Sequence, residues 1–136
     1  MATRSNVGYK KEDGTYRYIY CHWDGYPSGN GKILREHYQD PAKIIRLVEN
    51  GDLSSLSIEC DGAPGHTFNH PVDGQTVYYG RDRHEEDCEA KSTDDRNDIY
   101  QNEYAYVFED GQWFCIGHMS DEWMPLDKAI FLSENC

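Results

Sequence analysis

The sequence predicts an α+β domain, an antiparallel sheet of four to five strands with two helices packed on one face. Three observations carry this expectation. Runs of alternating apolar and polar residues are bounded by tight-turn signals, among them five Asp-Gly pairs. One apolar stripe at helical spacing has its own start and stop signals. No internal repeat or linker interrupts the 136 residues, a length that suits one domain with one core.

Taken in order, Asn6 to Lys11 and Tyr16 to His22 read as two strands around the turn Glu12-Asp13-Gly14-Thr15. In the second, Tyr16, Tyr18 and Tyr20 point one way and Arg17, Ile19 and Cys21 the other. Cross-strand packing explains this tyrosine row more simply than an aromatic binding platform does. A short helix starts at about Lys32, with Ile33, Leu34, His37 and Tyr38 on its buried face, and His37 there reads as a hydrogen-bonded core residue. Asp40-Pro41 then caps and opens a second helix, which buries Ile44, Ile45 and Val48 and stops at Asn50-Gly51.

A short strand near Leu56 to Cys60 leads into a Gly- and Pro-containing loop, Asp61 to Gly74, and then a third strand, Thr76 to Arg81. The acidic stretch His84 to Asp98 has few apolar residues and reads as a long solvated loop, with a helical turn near Asp94 to Tyr100. Tyr104 to Glu109 and Gln112 to His118 flank Asp110-Gly111 as a hairpin, with Tyr104, Tyr106 and Phe108 on one side. A terminal helix, Pro125 to Leu132, packs Leu126, Ile130 and Phe131 back on the sheet.

The net charge of −12 is uneven: residues 85–110 carry ten carboxylates against two cations, whereas residues 1–50 are slightly basic. Free nucleic acid is therefore excluded as a partner of the whole surface, since binding it needs a basic footprint. A basic protein face, such as a nucleic-acid channel, matches better. No apolar run approaches the roughly 18 residues that a membrane span needs, and no signal-peptide core is present, so a cytoplasmic protein without a membrane partner is expected. Five scattered cysteines (Cys21, Cys60, Cys88, Cys115, Cys136) without a CxxC pair fit reduced thiols, with Cys136 at an exposed end.

The stretch Tyr20 to Tyr38, YCHWDGYPSGNGKILREHY, gathers the residue types of a binding site. A strand gives way to a glycine-rich turn and a helix mouth, where free N-H groups can hold an anion. Trp23 and Tyr26 can stack a planar group, Asp24, Gly29, Asn30 and Gly31 form the turn, and Lys32 adds a cation. The Walker phosphate loop is excluded, because Tyr26 stands in place of its first glycine and Ile33 in place of its Ser or Thr. The same residues are also ordinary turn formers. If the third strand runs through Gly80-Arg81-Asp82-Arg83, Arg81 and Arg83 project to one face as a fork for phosphate; the alternative is that they pair with Glu85, Glu86 or Asp87. The histidines and cysteines lack the tight pairing of a structural zinc site, and neither a Cys-His nor a carboxylate pair marks a catalytic centre, so no metal, cofactor or catalytic residue is assigned.

Met1 to Ser5, the string YCHWDGY at Tyr20 to Tyr26, Asn30-Gly31, His37-Tyr38, Gly51 to Leu56 and Tyr79 to Arg83 form a pattern that covers most of the chain. In it the chain resembles a group of small tailed-phage and prophage proteins. The resemblance implies a phage origin, and with it counter-defence or host-takeover work, but transfers no activity. Two functional expectations follow. One is stoichiometric capture of a phosphate-bearing nucleotide signal by Trp23, Asp24, Tyr26, Gly29, Asn30, Gly31, Lys32, Arg81 and Arg83, with a homo-oligomer expected to enclose the ligand. The other is direct inhibition of a host defence nuclease, of the anti-CRISPR or anti-restriction kind, through the acidic residues Glu85, Glu86, Asp87, Asp94 and Asp95.

Overall fold

The computed structural model describes residues 3–118 and 120–134. The two hairpins expected from their turns are both present. Strands β1 (Ser5–Lys10) and β2 (Tyr16–Trp23) pair antiparallel, as do β6 (Tyr104–Glu109) and β7 (Gln112–Gly117). Between them come the other elements: α1 (Lys32–His37), α2 (Pro41–Glu49), β3 (Leu53–Ser55), β4 (Val77–Tyr78), α3 (Tyr79–Arg83) and β5 (Lys91–Thr93). The chain closes with β8 (Ser120–Pro125) and α4 (Leu126–Glu134).

The fold is α+β, but among the described residues it has four α-helices where two were expected, and the sheet is larger than four or five strands and is mixed: eight strands, with the main order β4-β3-β2-β1-β6-β7-β8. The antiparallel expectation fails at two joins, since β1 lies parallel to β6 and β2 parallel to β3. These joins link segments far apart in sequence, where no turn residue announces the pairing. Strand β5 pairs with Tyr16–Tyr18, while β3 pairs with Cys21 and Trp23, so the two share one edge of β2 end to end. The expected strand at Leu56–Cys60 is instead a short strand at Leu53–Ser55, followed by a single bridge between Glu59 and Gln75. Cys136 lies outside the described residues.

Each face of the sheet has its own core. Val7, Ile19, Cys21, Tyr106 and Cys115 pack with Leu34, Ile44, Leu47, Val48 and Ile130 of the helices. Helix α2 sits there as its signals require: Asp40 accepts from the Ala42 N-H (3.1 Å), Pro41 opens the first turn, and Gly51 follows at φ 99°. Ile45, however, is 42% exposed, because the buried stripe runs through Ile44, Leu47 and Val48. On the opposite face, Tyr16, Tyr18, Ala105, Val107 and Ile116 pack around Ile99. The alternation in β2 and β6 therefore holds: Tyr16 and Tyr18 serve one core, Ile19 and Cys21 the other. Among the described residues no helix is long and apolar enough to cross a membrane.

Candidate functional site

The glycine stretch is a packing joint rather than an open cradle. Before α1 the backbone forms a π-helical turn, Pro27–Gly31, and the Lys32 N-H that should open the helix mouth bonds back to the Gly29 and Pro27 carbonyls. The Gly25, Gly29 and Asn30 amides are also spent, on Thr3, Tyr26 and Asp24 carbonyls respectively. Asn30 is buried at 1% exposure, and its amide nitrogen donates to the Trp23 carbonyl (3.2 Å) and the Cys21 sulfur (3.3 Å). The Tyr106 hydroxyl donates to the Gly25 carbonyl. A Cβ on Gly25 would lie 2.7 Å from the Thr3 carbonyl oxygen, which is why a glycine stands there. Lys32 pairs with Glu134 at 3.1 Å. What remains outward-facing are the rings of Trp23 and Tyr26, 39% and 38% exposed, with Trp23 held edge-on by His22.

The arginine fork does not form. The strand ends at Tyr78 and the chain turns into α3, so Arg81 and Arg83 are two positions apart on a helix and diverge. Arg81 is bound inward: it donates to both Asp82 carboxylate oxygens (2.9 and 3.0 Å) and to the carbonyls of Cys60 (2.6 Å) and Thr76 (3.1 Å), and lies over the Tyr78 ring. Its partner is Asp82, not the acidic stretch. Arg83 lies over Phe68, 4.7 Å from the ring centroid. No contact links either arginine to Trp23, Tyr26 or Lys32 among the described residues.

Sequence reasoning missed the centre of this cluster. The His66 side chain is 1% exposed and faces Asp82 Oδ2 at 3.2 Å, while its Nδ1 accepts the Val72 N-H at 3.0 Å. Asp82 Oδ2 also accepts from the Tyr78 N-H. Burial works to raise the Asp82 carboxyl, but hydrogen bonds from Arg81 and Tyr78 and the neighbouring positive charge outweigh it and hold the group below its ordinary value. A buried His-Asp pair resembles half of a catalytic triad. Here both imidazole nitrogens already have partners, so neither can take a proton from a substrate while the loop stays closed. Nor are the two buried strand cysteines ready nucleophiles: burial pushes the Cys21 and Cys115 thiols up to about 12. The spacing of His66 from Asp82 gave no signal, because the loop that joins them follows no period.

The acidic segment is ordered where a solvated loop was expected. Strand β5 pins Lys91–Thr93 to β2, and the Cys88 carbonyl accepts the Asp52 N-H at 2.8 Å. A 3-10 turn, Arg96–Ile99, then drives Ile99 to 0% exposure in the second core; the helical turn expected near Asp94 to Tyr100 is this one. Asp95 caps it by accepting the Asn97 N-H. Arg96 wedges under the segment, bonded to Glu109 (2.8 Å) and placed over the Trp123 and Phe114 rings. The carboxylates face outward. Glu85, Glu86, Asp87, Glu89, Asp94 and Asp95 are exposed, and none makes an ion pair among the described residues. An anchored backbone thus displays exposed carboxylates on both sides of β5, none of them in an ion pair among the described residues.

A further cleft lies at the far end of the first hairpin. It encloses about 520 Å³ between Tyr9, Lys10, Ile44, Ile45 and Phe108, and none of the ligand-binding residues expected from the sequence lines it. Comparison of the chain with family models, with curated proteins and with solved structures returns no match.

Proposed function

We propose that the protein is a phage counter-defence factor that works by stoichiometric binding, presenting its acidic segment to the basic nucleic-acid groove of a host defence nuclease. The observation that carries this reading is the set of exposed carboxylates Glu85, Glu86, Asp87, Glu89, Asp94 and Asp95, none in an ion pair among the described residues, on a segment anchored through β5 and the 3-10 turn. Fixed charges of one sign speed encounter with a complementary surface and select it over others, and they do so without first having to order a loop. The test measures DNA cleavage by a panel of purified restriction and CRISPR nucleases with the protein added at equimolar concentration. Inhibition of at least one is expected, weakening as salt rises. The combined variant Glu85→Gln, Glu86→Gln, Asp87→Asn and Asp94→Asn should lose it, with Asp95 left in place because it caps the 3-10 turn. Equal inhibition by that variant, or none by the native protein, refutes the reading.

A second reading, capture of a phosphate-bearing nucleotide, is favoured by the two outward rings Trp23 and Tyr26. Its cation set is reduced to Lys32 and Arg83, since Arg81 is bound inward. Mass spectrometry of heat-released small molecules from natively purified protein tests it: a stoichiometric nucleotide that Trp23→Ala abolishes would support it, and an empty native protein would end it.

A further inference from the structure

The hydrogen bonds of His66 fix more than its position; they fix its protonation. Nδ1 accepts the Val72 N-H and must keep its lone pair, so the ring proton sits on Nε2 and points at Asp82. The ring is neutral while both bonds stand. We infer that the loop tip Asn69–Asp73 is a proton-released flap, with His66 as its latch. A second ring proton would set an N-H against the Val72 N-H and break that bond, while the opposite nitrogen becomes a charged donor to Asp82 and holds harder.

The surroundings favour this division. On the α3 side, His66 faces the Asp82 carboxylate directly and the Arg81 guanidinium across that carboxylate. On its own loop it meets the Val72 amide, and neither His70 nor Asp73 makes an ion pair among the described residues. Asp61, at the loop's start, is held by Arg46 at 3.0 Å. The root of the loop does not depend on His66: Phe68 donates its N-H to the Asp82 carbonyl, and Phe68 packs against Tyr79 and under Arg83. The far side is tied by the Glu59 N-H to the Gly74 carbonyl and the Thr76 N-H to the Glu59 carbonyl. Between these two anchorages Asn69, His70, Pro71 and Asp73 are exposed, and the remaining bonds of the tip are turns within the loop itself, His70 with Thr67 and the Val72 carbonyl with the Gln75 N-H. Because Nδ1 cannot both accept the Val72 N-H and carry a proton, the closed flap holds one proton fewer than the open one, and added acid favours opening.

The experiment uses the full chain, labelled with nitrogen-15, and follows the histidine ring nitrogens and the amide exchange of Val72 and Tyr78 from neutral to mildly acidic pH. At neutral pH the His66 ring should carry its proton on Nε2 alone. As the ring gains its second proton, Val72 exchange, corrected for the intrinsic effect of pH, should rise by about ten-fold or more, the scale of leaving such a donor unpaired. Tyr78, which donates to the same Asp82 oxygen, should stay protected. His66→Asn supplies an acceptor near the Nδ1 position that does not titrate, so Val72 protection in it should be flat with pH. A proton on Nδ1 at neutral pH, Val72 protection that survives ring protonation, joint loss at Val72 and Tyr78, or a pH-dependent Val72 in His66→Asn each overturn the inference. If His66→Asn fails to fold, the native-protein measurements decide alone.

Discussion

Ile99→Ala tests whether the acidic segment belongs to the folded domain. Ile99 is fully buried, and its Cδ1 approaches to 3.4 Å of where a Cβ on Gly8 would stand, beneath Tyr18, Ala105, Val107 and Ile116. Truncation removes three carbons from a packed site and leaves a cavity that β1 and β6, paired to each other, cannot easily close. Large-to-small changes of this kind cost about 2–5 kcal/mol, and about 3 is expected here, since the cluster is small. With an unfolding entropy of about 2.1 cal/mol/K per residue over 136 residues, the melting temperature should fall by about 10 °C. Urea titration and calorimetry measure both quantities, and amide exchange over residues 91–100 should accelerate with them. A loss under about 0.5 kcal/mol, the scale of surface substitutions, would show that the segment peels away freely, and the anchored-charge argument would fall with it.

Four further outcomes follow from particular contacts. Because Asp82 is held below its ordinary value, it contributes stability that is complete above the unfolded carboxyl value of about 3.9 and is lost as pH falls through the folded one; Asp82→Asn should lower stability at neutral pH and flatten that acid limb in urea titrations at pH 3 to 6. Tyr106→Phe removes the donor to the Gly25 carbonyl and should cost about 1–3 kcal/mol by urea unfolding. Thiol labelling mapped by peptide should modify the half-exposed Cys88 well before the buried Cys21, Cys60 and Cys115. The combined neutralisation of Glu85, Glu86, Asp87 and Asp94 should leave the melting temperature unchanged or a few degrees higher at low salt, because it relieves like-charge repulsion and removes no ion pair among the described residues.

Local signals were legible. Asp13-Gly14 and Asp110-Gly111 turned their hairpins as read, Gly14 and Gly111 taking the positive φ values that such turns use, and Asp40-Pro41 and Asn50-Gly51 framed α2. Lys32 opened α1. Pairings between distant segments were not legible. Nothing local in Val7 or Tyr106 marks them as parallel neighbours, and Ser120 to Pro125, rich in polar residues, becomes the edge strand β8 only because β7 is there to pair with. The same limit governed the sites. The Asn30 and Arg81 side chains read as ligand-facing because their types suit ligands, yet Asn30 satisfies a strand end and Arg81 a set of carbonyls that the fold brings to it. The apolar residue that mattered in the acidic stretch was a single Ile99, too little to show a period.

The two candidate surfaces differ in how cleanly they separate folding from binding. In the glycine stretch the residue types that would touch a ligand also hold the joint: removing Asn30 or adding a Cβ at Gly25 would disturb the end of β2. A loss of binding there would be uninterpretable, and only Trp23 and Tyr26, which face outward, are fair probes. In the acidic segment the roles fall on different side chains. Ile99, Arg96 and the Asp95 cap fix the backbone, while Glu85, Glu86, Asp87, Glu89 and Asp94 stand free of it. A surface built this way can change its charge pattern without changing its shape. That makes the acidic segment the place where mutation can decide function without first deciding stability.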